Sequence, residues 1–124
     1  MATERFTGSQ TDTFLSDVDL RNKEFYAAKR TATGGTLCAA GDHCDGVISE
    51  GKAAGLHTSI KTGNQLKAIA GAPVAAGAKV TPDGNAKFIT ATSGTEVFGT
   101  AITAAVAAND LFTIEVDRSN ADLA

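Results

Sequence analysis

The side chains that could hold a metal ion are concentrated in one stretch of the sequence, with one more histidine downstream. They are Cys38, Asp42, His43, Cys44, Asp45 and His57. Zinc sites in small domains use closely spaced cysteine pairs, whereas five residues separate Cys38 from Cys44 and the chain has only these two cysteines. The pattern favours two small, half-buried cysteines that flank a polar turn. We therefore expect no metal and no cofactor.

Nucleophilic catalysis is the other chemistry that this stretch could support. A cysteine nucleophile needs a lowered thiol pKa and a base within reach. His43 is adjacent to Cys44, but neighbouring residues of a strand point to opposite faces, so the two side chains are not expected to meet. The sequence contains no G-x-S-x-G elbow, and its carboxylates have no spacing that marks a catalytic pair. We expect a protein without enzymatic activity.

The elements that position these residues fall into three zones. Residues 1–22 are polar with few large apolar side chains, and they are predicted to form an extended N-terminal arm. Residues 23–118 alternate short apolar runs with turn residues at a spacing of roughly 8–12 residues, which is typical of an all-β domain. Residues 119–124 form a polar C-terminal tail.

Particular runs support the all-β interpretation. The tetrad Thr81-Pro82-Asp83-Gly84 has turn chemistry, and Leu111–Asp117 alternates apolar and polar side chains as a strand does. Leu56–Lys61 and Gln65–Ala70 flank Thr62-Gly63-Asn64, and the sequence predicts that they form a hairpin.

Two further features bear on the architecture. Gly99 lies inside a strand-like run, which is typical of a β-bulge or of a close approach by another backbone segment. The alanine-rich residues 104–109 could form one short helical turn, which alanine favours, or a loop of small residues. The sequence therefore predicts a small β-barrel or β-tulip with at most one short helix.

Composition excludes several classes of partner. The net charge is −3 and the isoelectric point about 5.2, which disfavours nucleic acid because no basic face is available to neutralise phosphates. No apolar run is long enough to span a membrane, and the N-terminus lacks the apolar region of a signal peptide. Much of the apolar content is alanine, which predicts a thin core stabilised by association into oligomers.

The C-terminal half has a recognisable order of small-residue and turn motifs between Gly71 and Val116. They are Gly77-Ala78-Lys79-Val80, Asp83-Gly84, Lys87, Gly99-Thr100-Ala101 and the alanine-rich bend Ala104–Asp110 before the strand Leu111–Val116. Asp45-Gly46-Val47 and Gly63 extend the pattern more loosely upstream. This order resembles the capsid cement or head-decoration proteins of tailed bacteriophages, a family also described as capsid-fibre-like.

The resemblance implies a virion structural protein that is assembled in the host cytoplasm and lies on the capsid exterior. It implies binding of the major capsid protein, stabilisation of the expanded shell, and self-association as a trimer or dimer. Another phage virion or tail β module is the alternative, and a small metal-binding domain built on Cys38, His43, Cys44 and His57 is a third hypothesis.

The residues expected to contact a partner lie in the predicted arm. Phe6, Phe14 and Leu15 are large apolar residues in an otherwise polar segment, so a partner surface could bury them by strand addition. The alternative interpretation is that Phe6 or Phe14 folds back onto the β domain of its own chain.

Overall fold

The structure, a computed structural model, describes residues 11–63, 65–92 and 96–116 and contains ten β-strands over these ranges, with no helix. The strands are β1 (Thr11–Leu15), β2 (Ala27–Thr31), β3 (Gly34–Leu37), β4 (Gly46–Glu50), β5 (His57–Lys61), β6 (Gln65–Ile69), β7 (Lys79–Pro82), β8 (Phe88–Thr90), β9 (Gly99–Ala101) and β10 (Leu111–Val116). The predicted all-β class is confirmed. Residues 104–109 form a loop, not the helical turn that their alanines favour.

The first five strands form one antiparallel sheet in the order β1-β5-β4-β2-β3. This sheet curls until its two edges meet at a single bridge between Ser16 and Gly35. The approach requires glycine, since a Cβ on Gly35 would lie 2.5 Å from the ring of Phe14. We call residues 11–63 unit 1.

The last five strands form a second antiparallel sheet in the order β6-β10-β9-β7-β8. Its edges also meet at one bridge, between Ala70 and Phe88. We call the described residues from 65 to 116 unit 2. Where the sequence predicts a β-barrel or β-tulip, the all-β domain consists of two curled, open sheets and is not a closed barrel, because a single bridge joins the edge strands of each sheet where a barrel needs a continuous ladder.

Unit 2 repeats unit 1 strand for strand. The first strand of each unit lies at one edge, followed by the fifth, fourth, second and third. The registers also coincide, since Ile60 pairs with Asp12 in unit 1 as Ile114 pairs with Leu66 in unit 2. The two edge bridges occupy equivalent places in this register.

Hydrogen bonds outside the strands follow the same repeat. The amide of Leu20 donates to the carbonyl of Lys52 at 2.9 Å, and the amide of Val74 donates to the carbonyl of Ala105 at the same distance. The chain is therefore built from two copies of one five-stranded unit.

Close backbone approach is repeated as well. A Cβ on Gly46 would lie 2.6 Å from the carbonyl oxygen of Lys61, and a Cβ on Gly99 would lie 2.3 Å from that of Glu115. Of the two alternatives at Gly99, the structure shows the close approach, and it has a counterpart in unit 1.

Two clusters of buried apolar residues form the core of the protein. The smaller fills the interior of unit 1 and consists of Phe14, Leu20, Ala28, Ile48 and Ile60. The larger fills unit 2 and continues across the outer face of unit 1, where Ala27 and Val47 pack with residues such as Phe88 and Phe112. Because one cluster spans both units, each unit buries apolar surface of the other.

Two sequence expectations about chain path are corrected. The predicted hairpin of residues 56–61 and 65–70 does not form, because β5 is paired on both sides, by β1 and β4, and leaves no edge for β6. The structure places residues 11–22 of the predicted arm within unit 1, because Phe14 and Leu20 bury their side chains there. Residues 1–10 and the tail 119–124 lie outside the described residues.

Candidate functional site

The two cysteines lie in the loop between β3 and β4 and are both buried. The thiol of Cys44 lies 3.1 Å from the carbonyl oxygen of Gly46, and that of Cys38 lies 3.8 Å from the carbonyl oxygen of His43. Burial raises the pKa of the Cys44 thiol well above its ordinary value. A protonated, buried thiol is neither a nucleophile nor a metal ligand, so this cysteine contributes packing.

The other side chains considered as metal ligands form ion pairs with other residues or, in the case of His57, lie on a different strand. Asp42 accepts hydrogen bonds from Lys29 at 2.5 Å and from the amide of Ala39 at 2.9 Å, and these bonds lower the pKa of its carboxyl. His57 lies on β5 opposite Leu15 of β1. Over residues 11–63, 65–92 and 96–116, no three His, Cys, Asp or Glu side chains are placed to share a metal ion.

His43 joins the two units. Its Nδ1 lies 3.0 Å from a carboxylate oxygen of Glu96 in unit 2, and its Nε2 lies 3.4 Å from Asp45 in unit 1. The polar turn between Cys38 and Cys44 therefore connects the two units through the His43 side chain.

The three predicted partner-contact residues do not share one environment. Phe14 is 4% exposed and lies in the interior of unit 1, as the fold-back alternative expected. Leu15 follows it on β1 and is 39% exposed on the outer face. Phe6 lies outside the described residues. Of the two that the structure describes, Leu15 is the one placed where a partner could reach it.

Leu15 belongs to a group of exposed apolar side chains. Val18 and Leu56 are also exposed, and the amide of Ser16 donates to the carbonyl of Leu56 at 2.9 Å, which brings these segments together. We call Leu15, Val18 and Leu56 patch 1. A partner protein that covers exposed apolar side chains removes them from water, which favours binding, so patch 1 is a candidate contact surface.

Unit 2 carries exposed apolar side chains of its own at Ile102, Val106 and Leu111, which we call patch 2. The amide of Ile102 donates to the carbonyl of Thr113 at 2.8 Å, two residues after Leu111 on β10. Sequence reasoning did not select these residues. Val106 is the one that could have been found, because it is the only large apolar residue in the alanine-rich loop.

A cavity of about 380 Å³ lies where unit 1 meets unit 2. It is lined by Lys23, Tyr26, Leu37, Cys38, Gly84, Asn85, Ala86 and Lys87, and we call it the lysine notch. The ammonium groups of Lys23 and Lys87 lie 5.2 and 5.7 Å from the centroid of the Tyr26 ring. An aromatic face attracts a cation at these distances, so Tyr26 positions both lysines.

Comparison with solved structures shows that other proteins share this fold. The chain is similar to the head fiber gp8.5 N base of bacteriophage phi29, with a TM-score of 0.69 and 18% sequence identity over 93% of this chain and 99% of that one. A search of the curated proteins found no match. In the part of the chain that the structure describes, no helix is long and apolar enough to cross a membrane.

Comparison with protein families matches residues 21–118 to a family described as phage cement protein. The match covers most of the chain, including unit 2 and all of unit 1 except residues 11–20. The likeness to the head fiber base concerns the fold. Together they make this chain a structural, capsid-associated component of the virion. The chain belongs to the phage cement protein family.

Proposed function

We propose that this protein binds the outside of the major capsid shell, contacts neighbouring capsomers, and stabilises the expanded shell without catalysing a reaction. The observation that carries the proposal is the family match over residues 21–118. The Cys44 thiol, protonated because it is buried, supports the non-catalytic role.

Patch 1 and patch 2 are the proposed contact surfaces. They lie on different units, and the units are joined by a shared apolar cluster and by the contact between His43 and Glu96. A body of this kind can hold two partners at a fixed separation, which is what joining adjacent capsomers requires. A stable contact needs roughly 1,000 Å² of buried area in total, so flanking polar residues must take part as well.

Two finer points remain part of the proposal. Phe6 contacts the partner, since it is the first large apolar residue before β1. The protein associates as a trimer or dimer, because many of its buried apolar residues are alanines, which stabilise a monomer little, among them Ala27, Ala28, Ala68, Ala70, Ala101 and Ala105.

Sedimentation with capsid shells tests the proposal. The wild-type protein is mixed with expanded and unexpanded shells of the major capsid protein, and we expect saturable binding to expanded shells at a fixed ratio per capsomer. Replacing patch 1 by Leu15→Ser, Val18→Ser and Leu56→Ser is expected to weaken binding by about tenfold or more, since three apolar contacts are lost.

The matched control replaces three exposed alanines outside both patches, by Ala32→Ser, Ala39→Ser and Ala76→Ser. It is expected to bind as the wild type does. Absence of wild-type binding to either shell form would contradict the proposed function. Equal binding by the patch 1 variant and the control would leave the function in place and remove patch 1 from it.

A further inference from the structure

The lysine notch is a basic site on an acidic protein. The chain has 14 acidic and 11 basic residues, and several of the basic ones are paired: Arg21 with Asp19, Lys29 with Asp42, Arg30 with Asp12, and Lys52 with Glu50. Among the described residues, Lys23 and Lys87 have no carboxylate within ion-pair distance. Both line one cavity, where Lys87 donates to the side-chain oxygen of Asn109 at 2.5 Å and neither ammonium group is in a direct ion pair with a described carboxylate.

The acidic residues beside the notch are occupied by other groups. Asp19 accepts two hydrogen bonds from the guanidinium of Arg21, at 3.0 and 2.9 Å, and these bonds lower the pKa of Asp19 to about 2. Asp83 accepts the backbone amides of Asn85 and Lys87 at 2.8 and 3.0 Å and so shapes its own turn. Neither carboxylate forms an ion pair with the notch lysines, although the charge of Lys23 also contributes to the lowered pKa of Asp19, after the larger effect of Arg21.

The repeat shows that the fold does not require the notch. In unit 1 the amide of Tyr26 donates to the carbonyl of Lys23, and in unit 2 the amide of Ala78 donates to the carbonyl of Ala75. The positions of Lys23 and Tyr26 are therefore both alanine in unit 2. The position of Lys87 in unit 2 is that of Gly34 in unit 1. Lys87 bonds to Asp83 after β7 as Gly34 pairs with Thr31 at the end of β2. The same architecture therefore forms without these three side chains.

The backbone beside Tyr26 is also unusual. Phe25 has a φ of 74°, a left-handed conformation that bulky residues rarely adopt, and the equivalent residue of unit 2 is Gly77 with a φ of 88°. Strain of this kind is concentrated at functional sites, because there the arrangement of a side chain matters more than the cost of the backbone. Unit 1 retains Phe25 and Tyr26 at this cost.

We propose that the lysine notch binds a carboxylate of an acidic segment of the capsid shell, held between the ammonium groups of Lys23 and Lys87. This inference rests on the proposed function and names the partner chemistry of one contact. A carboxylate complements two ammonium groups, whereas nucleic acid would bring many phosphates against a surface that is acidic beyond the notch.

The test compares two double variants with the same change in net charge. Lys23→Gln with Lys87→Gln removes the notch charge, and Lys61→Gln with Lys67→Gln removes two lysines outside the notch, on β5 and β6. We expect the notch variant to bind expanded shells about tenfold more weakly than the control variant, with a smaller loss of binding on adding salt. Equal binding by the two variants, with wild-type binding intact, overturns the inference and leaves the proposed function standing.

A second readout does not depend on the shells. The wild-type protein is titrated with poly-L-glutamate and, separately, with single-stranded DNA, while amide chemical shifts of Tyr26, Asn85 and Lys87 are followed. We expect shifts with poly-L-glutamate that are absent from the notch variant and present in the Lys61 and Lys67 control. No shifts with poly-L-glutamate, or tighter binding of the DNA at these amides, overturns the inference even if the protein binds shells. If the Gln pair does not fold, Lys23→Gln alone is used in both assays.

Discussion

At the scale of single residues, glycines determine how closely strands approach. Gly46 and Gly99 occupy equivalent places in the two units, and each lies under the carbonyl of the fifth strand of its own unit. Gly99 could be predicted from its place in a strand-like run. Gly46 is the first residue of its strand, so its sequence position does not mark a close approach, and the structure is needed to show that it allows one.

We expect Gly46→Ala and Gly99→Ala each to lower the free energy of unfolding by about 1–3 kcal/mol, because the added methyl group meets a backbone carbonyl that cannot move freely. The control is Gly84→Ala, an exposed position where a Cβ meets nothing within 4 Å. Urea unfolding measures all three, and a loss at Gly84 equal to that at Gly99 would count against the close approach.

Cys44 makes stability depend on pH. Its pKa is raised by burial, so the unfolded chain releases the thiol proton at a lower pH than the folded protein does. The contribution is fully present below the unfolded pKa of about 9 and is lost as the pH rises above it. Unit 2 has the buried residue Val97 at the equivalent position, which supplies the matched replacement.

We therefore expect the wild type to lose stability more steeply than Cys44→Val between about pH 8 and pH 10, with similar stability near pH 7. Thermal unfolding at each pH measures the difference. Parallel curves for the two proteins would show that the Cys44 thiol is not held protonated by burial.

At the scale of elements, the sequence predicts the strands better than their pairing. The outlines of β5, β6 and β10 follow from alternation and turn residues. β7 and β8 pair as a hairpin, but the predicted turn at residues 81–84 is placed too early, because Thr81 and Pro82 still pair with β8 and the chain turns after Asp83. The hairpin of β5 and β6 is wrong, because pairing depends on which edges other strands have occupied, and that information is not local.

The first strand shows the same limit. Residues 11–15 are polar apart from Phe14 and Leu15, so the sequence predicts an arm. Phe14 is buried because the curled sheet brings Gly35 against its ring. A contact between residues this far apart in the chain leaves no periodic signal.

We expect Phe14→Ala to destabilise the protein by about 3–5 kcal/mol, since a buried aromatic ring is lost from a small core. Leu15→Ala, on the outer face of the same strand, is expected to change stability by less than about 1 kcal/mol. Chemical denaturation compares them. Unchanged stability of Phe14→Ala together with weakened shell binding would mean that Phe14 is a partner contact after all.

At the scale of the whole molecule, the repeat is the feature that the sequence conceals. Of the equivalent positions, Gly46 matches Gly99 and Ile60 matches Ile114, but Phe14 corresponds to Ala68. Two glycines and two isoleucines are too common to reveal a repeat. The resemblance to cement proteins was accessible because their turns and small residues recur in order, whereas the patches and the lysine notch required the fold.

The central claim is that binding of this protein stabilises the expanded shell. The most direct measurement is the temperature at which expanded shells disrupt, with and without saturating protein, followed by light scattering. Binding to the intact shell alone must raise that temperature, and the rise must saturate at the same ratio per capsomer as binding does. An unchanged disruption temperature at full occupancy would contradict the account.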